Sequence, residues 1–304
     1  MALPPLGAFE SQVMITVDFH CHSTASDGTL SPAALAALGG ELGFAAMAST
    51  DHDNCDGAEQ FLRASAAIGM HSVSGVELSV EPGAGFDRFH LLGLGIDSAA
   101  PSLRKLLAEI LEGRNARNAC IAANFNRIGI AMELAEVAAI AGGEIVARPH
   151  FAALLVKKGI APDITTAFAR YLDAHSPEAT RCYEPRWHPA AASAFAAIHA
   201  AGGIAVMAHP KYWRRRWRDS AIEYDDAERR LAQLQEQGLD GLEACYGANT
   251  PEENRSFAAI ADRLGLIKTS GSDFHGANKP AVSPGMAVEP DFIAPLFERL
   301  GWQI

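Results

Sequence analysis

The sequence predicts an α/β fold: a barrel-like sheet of seven short strands that carries a mainly helical insert. Short apolar runs alternate with helix-patterned stretches in the first hundred residues and again in the last hundred, as strand–helix units do. Between residues 101 and 200 the apolar spacing is helical throughout, and no convincing strand interrupts it.

The first strand is read at 13–19. Ser31-Pro32 then opens a helix, with Ser as cap and Pro in the first turn, and Gly43 closes it. A second strand follows at 45–49, a helix at 58–68, and further strands at 73–78 and 89–96. The insert offers helices at 103–111, 116–128, 134–140, 152–158 and 164–172. Strands return at 204–208, 239–244 and 266–270, with helices between them. This pattern divides the chain into a barrel, residues 13–100 and 201–304, and an insert, residues 101–200.

Composition narrows the function classes. Across 304 residues, 25 Lys and Arg face 36 Asp and Glu, a formal charge of −11. That balance disfavours a surface built to clamp duplex DNA. No long uncharged apolar run predicts a membrane span, and residues 1–9 lack the basic start and apolar stretch of a signal peptide. Cys21, Cys55, Cys120, Cys182 and Cys245 are odd in number and scattered, so a reducing cytoplasm is expected rather than a disulfide framework or a thiolate zinc site.

The chemistry is concentrated at strand ends. The first strand runs into Asp18-Phe19-His20-Cys21-His22 with Asp27 just beyond, and the second into Thr50-Asp51-His52-Asp53. The third reaches Gly75-Val76-Glu77, a later one Ala208-His209-Pro210, and the last Gly271-Ser272-Asp273-Phe274-His275. Residues i and i+2 of an extended segment share a side, so His20 and His22 are placed to bind one ion together, and Asp273 with His275 repeat the spacing. Parallel barrels gather their C-terminal strand ends around one mouth, where these sets would meet. Mixed imidazole and carboxylate ligands suit Mn²⁺, Zn²⁺ or Fe²⁺ better than Ca²⁺. His71, His175 and His199 stand outside the pattern and are read as structural.

The ordered series His20-x-His22, Asp27, Asp51-His52, Gly75-Val76-Glu77, His209-Pro210 and Gly271-Ser272-Asp273-Phe274-His275 resembles the PHP (polymerase and histidinol phosphatase) family over nearly the whole chain. The resemblance implies a distorted seven-stranded (β/α)7 barrel and two or three divalent ions, Mn preferred with Zn or Fe as alternatives, that hydrolyse phosphoesters. It implies that His20, His22, Glu77 and Asp273 hold one ion and that Asp27, His52 and His275 hold another. Glu77 and His209 would share a third, completed by His90 or His150. A metal-bridging hydroxide would attack phosphorus; no residue is singled out as general acid.

Glu112-Gly113-Arg114 and Arg148-Pro149-His150-Phe151-Ala152 in the insert resemble the bacterial branch that contains 3′,5′-nucleoside bisphosphate phosphatase. That likeness implies an insert capping the C-terminal mouth, with Arg114, Arg117 and Arg148 as phosphate clamps and His150 beside the metals or the phosphate. Guanidinium forks match phosphate bidentately, which agrees with those roles. The expected substrate is a small nucleotide losing its 3′-phosphate, with 5′→3′ trimming of short single-stranded RNA or a histidinol-phosphate-type reaction as alternatives. The basic, aromatic run 211–218 could attract a second phosphate through Lys211 or stack a base. No phosphate-binding P-loop and no G-x-S-x-G nucleophile elbow is present.

Overall fold

In the computed structural model, residues 13–83, 86–141, 145–213 and 222–303 are described. Eight strands form one mixed sheet in the order β7-β6-β5-β4-β3-β2-β1-β8. They are β1 (Ile15–Asp18), β2 (Ala46–Ser49), β3 (His71–Val80), β4 (Phe89–Leu94), β5 (Ile204–Met207), β6 (Gly241–Tyr246), β7 (Ile267–Gly271) and β8 (Met286–Val288). The sheet curls until its ends meet. The Phe19 amide donates to the Ser270 carbonyl at 2.9 Å and the Asp273 amide to the His20 carbonyl at 2.8 Å, joining the end of β1 to the end of β7.

The seven strands read from sequence are all present, but they are not all parallel. β4 runs antiparallel to both β3 and β5, while β1, β2, β3 and β5, β6, β7 pair in parallel. The cause is chain length: only residues 81–88 join β3 to β4, too few for a crossover helix, so the pair forms a hairpin. The eighth strand, β8, adds antiparallel to β1 and went unread because it is only three residues long.

The helices are α1 (Pro32–Glu41), α2 (Ala58–Ala67), α3 (Pro101–Arg127), α4 (Leu134–Ala141), α5 (Arg148–Lys157), α6 (Ile164–Ala167), α7 (Ala191–Ala200), α8 (Tyr224–Gln235), α9 (Pro251–Leu264) and α10 (Pro290–Arg299). Ser31 caps α1 by accepting from the Ala34 amide, and Gly43 follows in the left-handed conformation, as the sequence signals required. The stretches 103–111 and 116–128 are one continuous helix, α3, about 40 Å long at 1.5 Å per residue. Gly113, which looks like a breaker, sits inside it because a Cβ there would meet the Trp187 side chain at 3.3 Å. The glycine admits a neighbouring loop instead of ending the helix.

Two apolar cores share α3. Leu103, Leu107 and Ile110 pack with strand residues Val76, Leu78 and Leu91 and with Phe195 and Ile198 of α7. Ile121 and Phe125, further along, pack with Val137, Phe151, Leu155 and Leu172, a cluster that contains no strand residue. Arg114 and Arg117 lie between the two and are 7% exposed each. One rigid helix therefore ties the helical segment to the barrel and carries two buried cations at the junction.

Candidate metal centre

Eight histidines and carboxylates named from the strand ends converge. Glu77, fully buried on β3, is the hub. Its Oε2 lies 3.3 Å from His20 Nε2, 3.2 Å from His22 Nε2 and 2.9 Å from His52 Nδ1. Its Oε1 lies 2.7 Å from His90 Nδ1 and 3.0 Å from His209 Nε2. Asp273 Oδ1 faces His20 Nε2 at 3.6 Å and His22 Nε2 at 3.3 Å. Asp27 faces His275 Nε2 at 3.3 Å through Oδ1 and His52 Nε2 at 3.9 Å through Oδ2.

Among the described residues, three groups have ligand atoms close enough to share an ion: His20, His22, Glu77 and Asp273; His22, Asp27, His52 and His275; and His52, Glu77 and His90. The residues pass a test of fit. His20 Nε2, both ring nitrogens of His22 and Glu77 Oε2 are buried without a hydrogen-bond partner. Buried polar atoms are almost always paired, so four orphans aimed at one place mark a cation site. The geometry also refines the expected sets. His22 reaches two groups rather than one, and His90 rather than His150 stands next to Glu77. His150 instead accepts the Ala147 amide through Nδ1 at 3.0 Å.

Asp273 and His275 belong to different groups, contrary to the alternation of an extended strand. Asp273 has φ 61° and turns the chain between them. Asp53 (φ 52°) and His209 (φ 29°) are the other two non-glycine residues with positive φ among those described. All three flank or form the cluster, and such conformations concentrate at functional sites.

Supporting groups fix the ligands. Asp18 accepts from the Ser272 amide at 3.0 Å, the Ser272 hydroxyl at 2.6 Å and the Gly285 amide at 2.7 Å, so it anchors the β7 end that carries Asp273. Asp51 is not aimed at the cluster; it accepts from the Ser23 amide and from the hydroxyls of Ser23, Ser26 and Ser49, holding the loop that bears Asp27. Glu243, on β6, contacts His20 Nδ1 through one oxygen and accepts the His209 amide through the other. Sequence reading missed Glu243, although a lone acid in the wholly apolar run of β6 was a usable signal. Gly271 is required here: a Cβ would meet Glu243 Oε1 at 2.3 Å and His20 Cβ at 2.4 Å.

The charges reinforce one another. Burial opposes ionisation of Glu77, but His52, His90 and His20 hold it well below the usual carboxylate range. Burial likewise disfavours a charged His22, yet Asp273 and Glu77 push its pKa up to about 9. A cation bound at His22 would take the place of the proton on its ring.

Beside the cluster lies a cavity of about 660 Å³ whose wall includes Asp27, His52 and His90 together with Arg88, Arg114, Arg117, Arg148 and Arg186. Arg114 and Arg186 both pair with Asp53, leaving each guanidinium buried. Arg117 is buried beside Arg114, Arg148 and Arg186, and burial followed by these like charges depresses its pKa. Such crowding favours a bound anion. Arg148 lies over the rings of Phe168 and Tyr183. It starts α5 rather than lying in a loop, because Pro149 suits the first turn of a helix. Lys211 does not line the cavity; its Nζ sits 2.7 Å from Glu253 Oε2. Residues 214–218 of the basic run fall outside the described residues. Arg186, His188 and Tyr183 were not anticipated, since the segment 182–190 has no periodicity to mark it.

A PHP domain model matches residues 18–119. The chain is 32% identical to the 3′,5′-nucleoside bisphosphate phosphatase of Chromobacterium violaceum over 94% of its own length and 97% of that protein. The chain belongs to the PHP family. This PHP protein is a metal-dependent phosphoesterase, a hydrolase acting on phosphoric ester bonds. It is also 31% identical to a 5′-3′ exoribonuclease of Escherichia coli, covering 88% of this chain and 87% of the other. Among solved structures, a protein designated a metal-dependent phosphoesterase from Bifidobacterium adolescentis matches the PHP chain with a TM-score of 0.76 at 29% identity, covering 93% and 96%. No helix among the described residues is long and apolar enough to cross a membrane.

Proposed function

We propose that the protein removes the 3′-phosphate from nucleoside 3′,5′-bisphosphates. The observation that carries this reading is adjacency: an arginine-lined cavity borders Asp27, His52 and His90 of the ligand cluster. One phosphate of the substrate lies at the cluster and the other among the arginines. A substrate with a single phosphate, such as histidinol phosphate, would place no anion on the arginine-lined side of the cavity.

In this reading His20, His22, Glu77 and Asp273 hold one ion, and Asp27, His52 and His275, with His22, hold a second. Glu77, His90 and His209 hold a third. Divalent ions bound there, with manganese the preferred species, would lower the pKa of water and offset the charge of the phosphate. Arg114 and Arg186, oriented by Asp53, and Arg117 and Arg148 grip the remote phosphate and fix the nucleotide. The helical segment 101–200 acts as the cap that brings these four arginines over the barrel mouth. The five unpaired cysteines fit a cytoplasmic location. Trimming of short 5′-phosphorylated RNA is the second reading, supported by the resemblance to the Escherichia coli enzyme.

The test is a phosphate-release assay with added Mn²⁺ over a nucleoside 3′,5′-bisphosphate, a nucleoside 5′-monophosphate and histidinol phosphate. The bisphosphate is expected to be cleaved fastest, with turnover lost in the Asp273→Ala variant and in chelator. Exclusive cleavage of histidinol phosphate, or full activity of metal-stripped protein, would overturn the proposal.

A further inference from the structure

We infer that a second cavity bordering Asp27 is a subsite for the nucleotide on the other side of a scissile phosphodiester, an inference that rests on the phosphoesterase reading of the metal cluster. This cavity holds about 620 Å³ and is walled by Asp27 and His275 from the cluster and by Pro149, Ala153 and Ile164 from the helical segment. Asp27 and Pro149 also belong to the arginine-lined cavity. A ligand whose central phosphate sits at Asp27 therefore has room on both hands. Each space is within the usual range for a small-molecule site, roughly 300–1,000 Å³.

The two cavities differ in chemistry. Five arginines line the first. In the second, Lys279 is the only Lys or Arg among the described residues, and its Nζ lies 2.7 Å from Asp273 Oδ2. Its helical wall is apolar apart from His150, and Ile164 leaves 42% of its surface exposed although it is a large hydrophobic residue. A terminal phosphate has no matching cation there, whereas the flat face of a base and the body of a sugar do find apolar contact. His150 on the same wall adds a polar ring. A nucleoside bisphosphate reaching from the arginines to Asp27 has no group to place in this space. A 5′-phosphorylated dinucleotide does: its 5′-phosphate goes to the arginines, its internal phosphate to the cluster, and its downstream nucleoside to the second cavity.

Hydrolysis in this register consumes one water. The water oxygen bonds to phosphorus and the P–O3′ bond breaks. O3′ gains a proton and leaves on the first nucleotide, and the downstream nucleoside keeps the phosphate on its 5′ oxygen. No oxidant or further reactant is needed.

The experiment compares the wild type with Ala153→Trp, which fills the cavity, and Ile164→Glu, an exposed substitution that places negative charge in it. With Mn²⁺ present, both variants are expected to keep kcat/KM for a nucleoside 3′,5′-bisphosphate within about twofold while losing at least tenfold on a 5′-phosphorylated dinucleotide. Equal losses on the two substrates, or no loss on either, would overturn the subsite. Binding of the dinucleotide is measured in parallel by calorimetry. If the wild type hydrolyses neither substrate, the phosphoesterase reading fails, and binding alone decides the subsite: tenfold weaker binding by both variants upholds it, and unchanged binding removes it.

Discussion

His20 and Glu243 form a buried imidazole–carboxylate pair, with Nδ1 and Oε1 2.9 Å apart and both side chains fully withdrawn from solvent. The contact leaves Nε2 of the same ring facing Glu77 and Asp273. A carboxylate behind a ligating histidine sets its tautomer and direction and raises its basicity. The other oxygen of Glu243 accepts the amide of His209, so a single side chain steadies two candidate ligands. Glu243→Gln preserves shape but removes charge. Metal affinity, read by competition with a chelator, is expected to fall about 10–100-fold, with turnover recovering at saturating metal. An unchanged affinity would show that Glu243 is only a packing element.

Asp53 stands between Arg114 and Arg186 with all three side chains nearly out of solvent. Removing its charge leaves two buried guanidiniums without a counter-ion, a change that costs about 3–5 kcal/mol when one partner of a buried pair is lost. Asp53→Asn is therefore expected to unfold at a clearly lower temperature. Inorganic phosphate or sulfate should restore more of the Tm in the variant than it adds to the wild type, because an anion takes the vacated place. A melting curve that ignores both the substitution and the anion would contradict this account.

His188 supplies a pH dependence away from the ligand cluster. Burial, then Arg186 and Arg88, pull its pKa from the ordinary 6.5 down to about 4. The folded value lies below the unfolded one, so the neutral ring favours the native state: this stability is complete above about pH 6.5 and drains away as pH falls toward 4. His188→Gln removes that titration. The drop in Tm between pH 7 and pH 5 should be smaller in the variant than in the wild type, as measured by differential scanning calorimetry.

The metal cluster was legible because its residues follow apolar runs directly, and an extended run fixes which side each residue takes. That logic held for His20 and His22 but not beyond Asp273, where a left-handed residue resets the direction. The hairpin of β3 and β4 could be inferred only by weighing the short 81–88 connection against a helical crossover; strand patterns alone look the same in either orientation. Arg114 and Arg117 lie three residues apart, a spacing shared by a solvated face and a buried one, and only the packing of α3 between two cores distinguishes them. Arg186 and His188 lie in an irregular segment whose course depends on the close approach of Trp187 to Gly113, a contact between residues far apart in sequence.

The bonds that complete the mouth of the barrel join residues widely separated along the polypeptide: Asp18 and Ser272 are 254 positions apart. During synthesis the histidines carried by the first three strands stay without Asp273 and His275 until β7 and the residues just beyond it have been made. Closing so long a loop is an intrinsically slow step. A chain stopped short of β7 lacks Asp273 and His275, and with them two of the three ligand groups, although His52, Glu77 and His90 are already present.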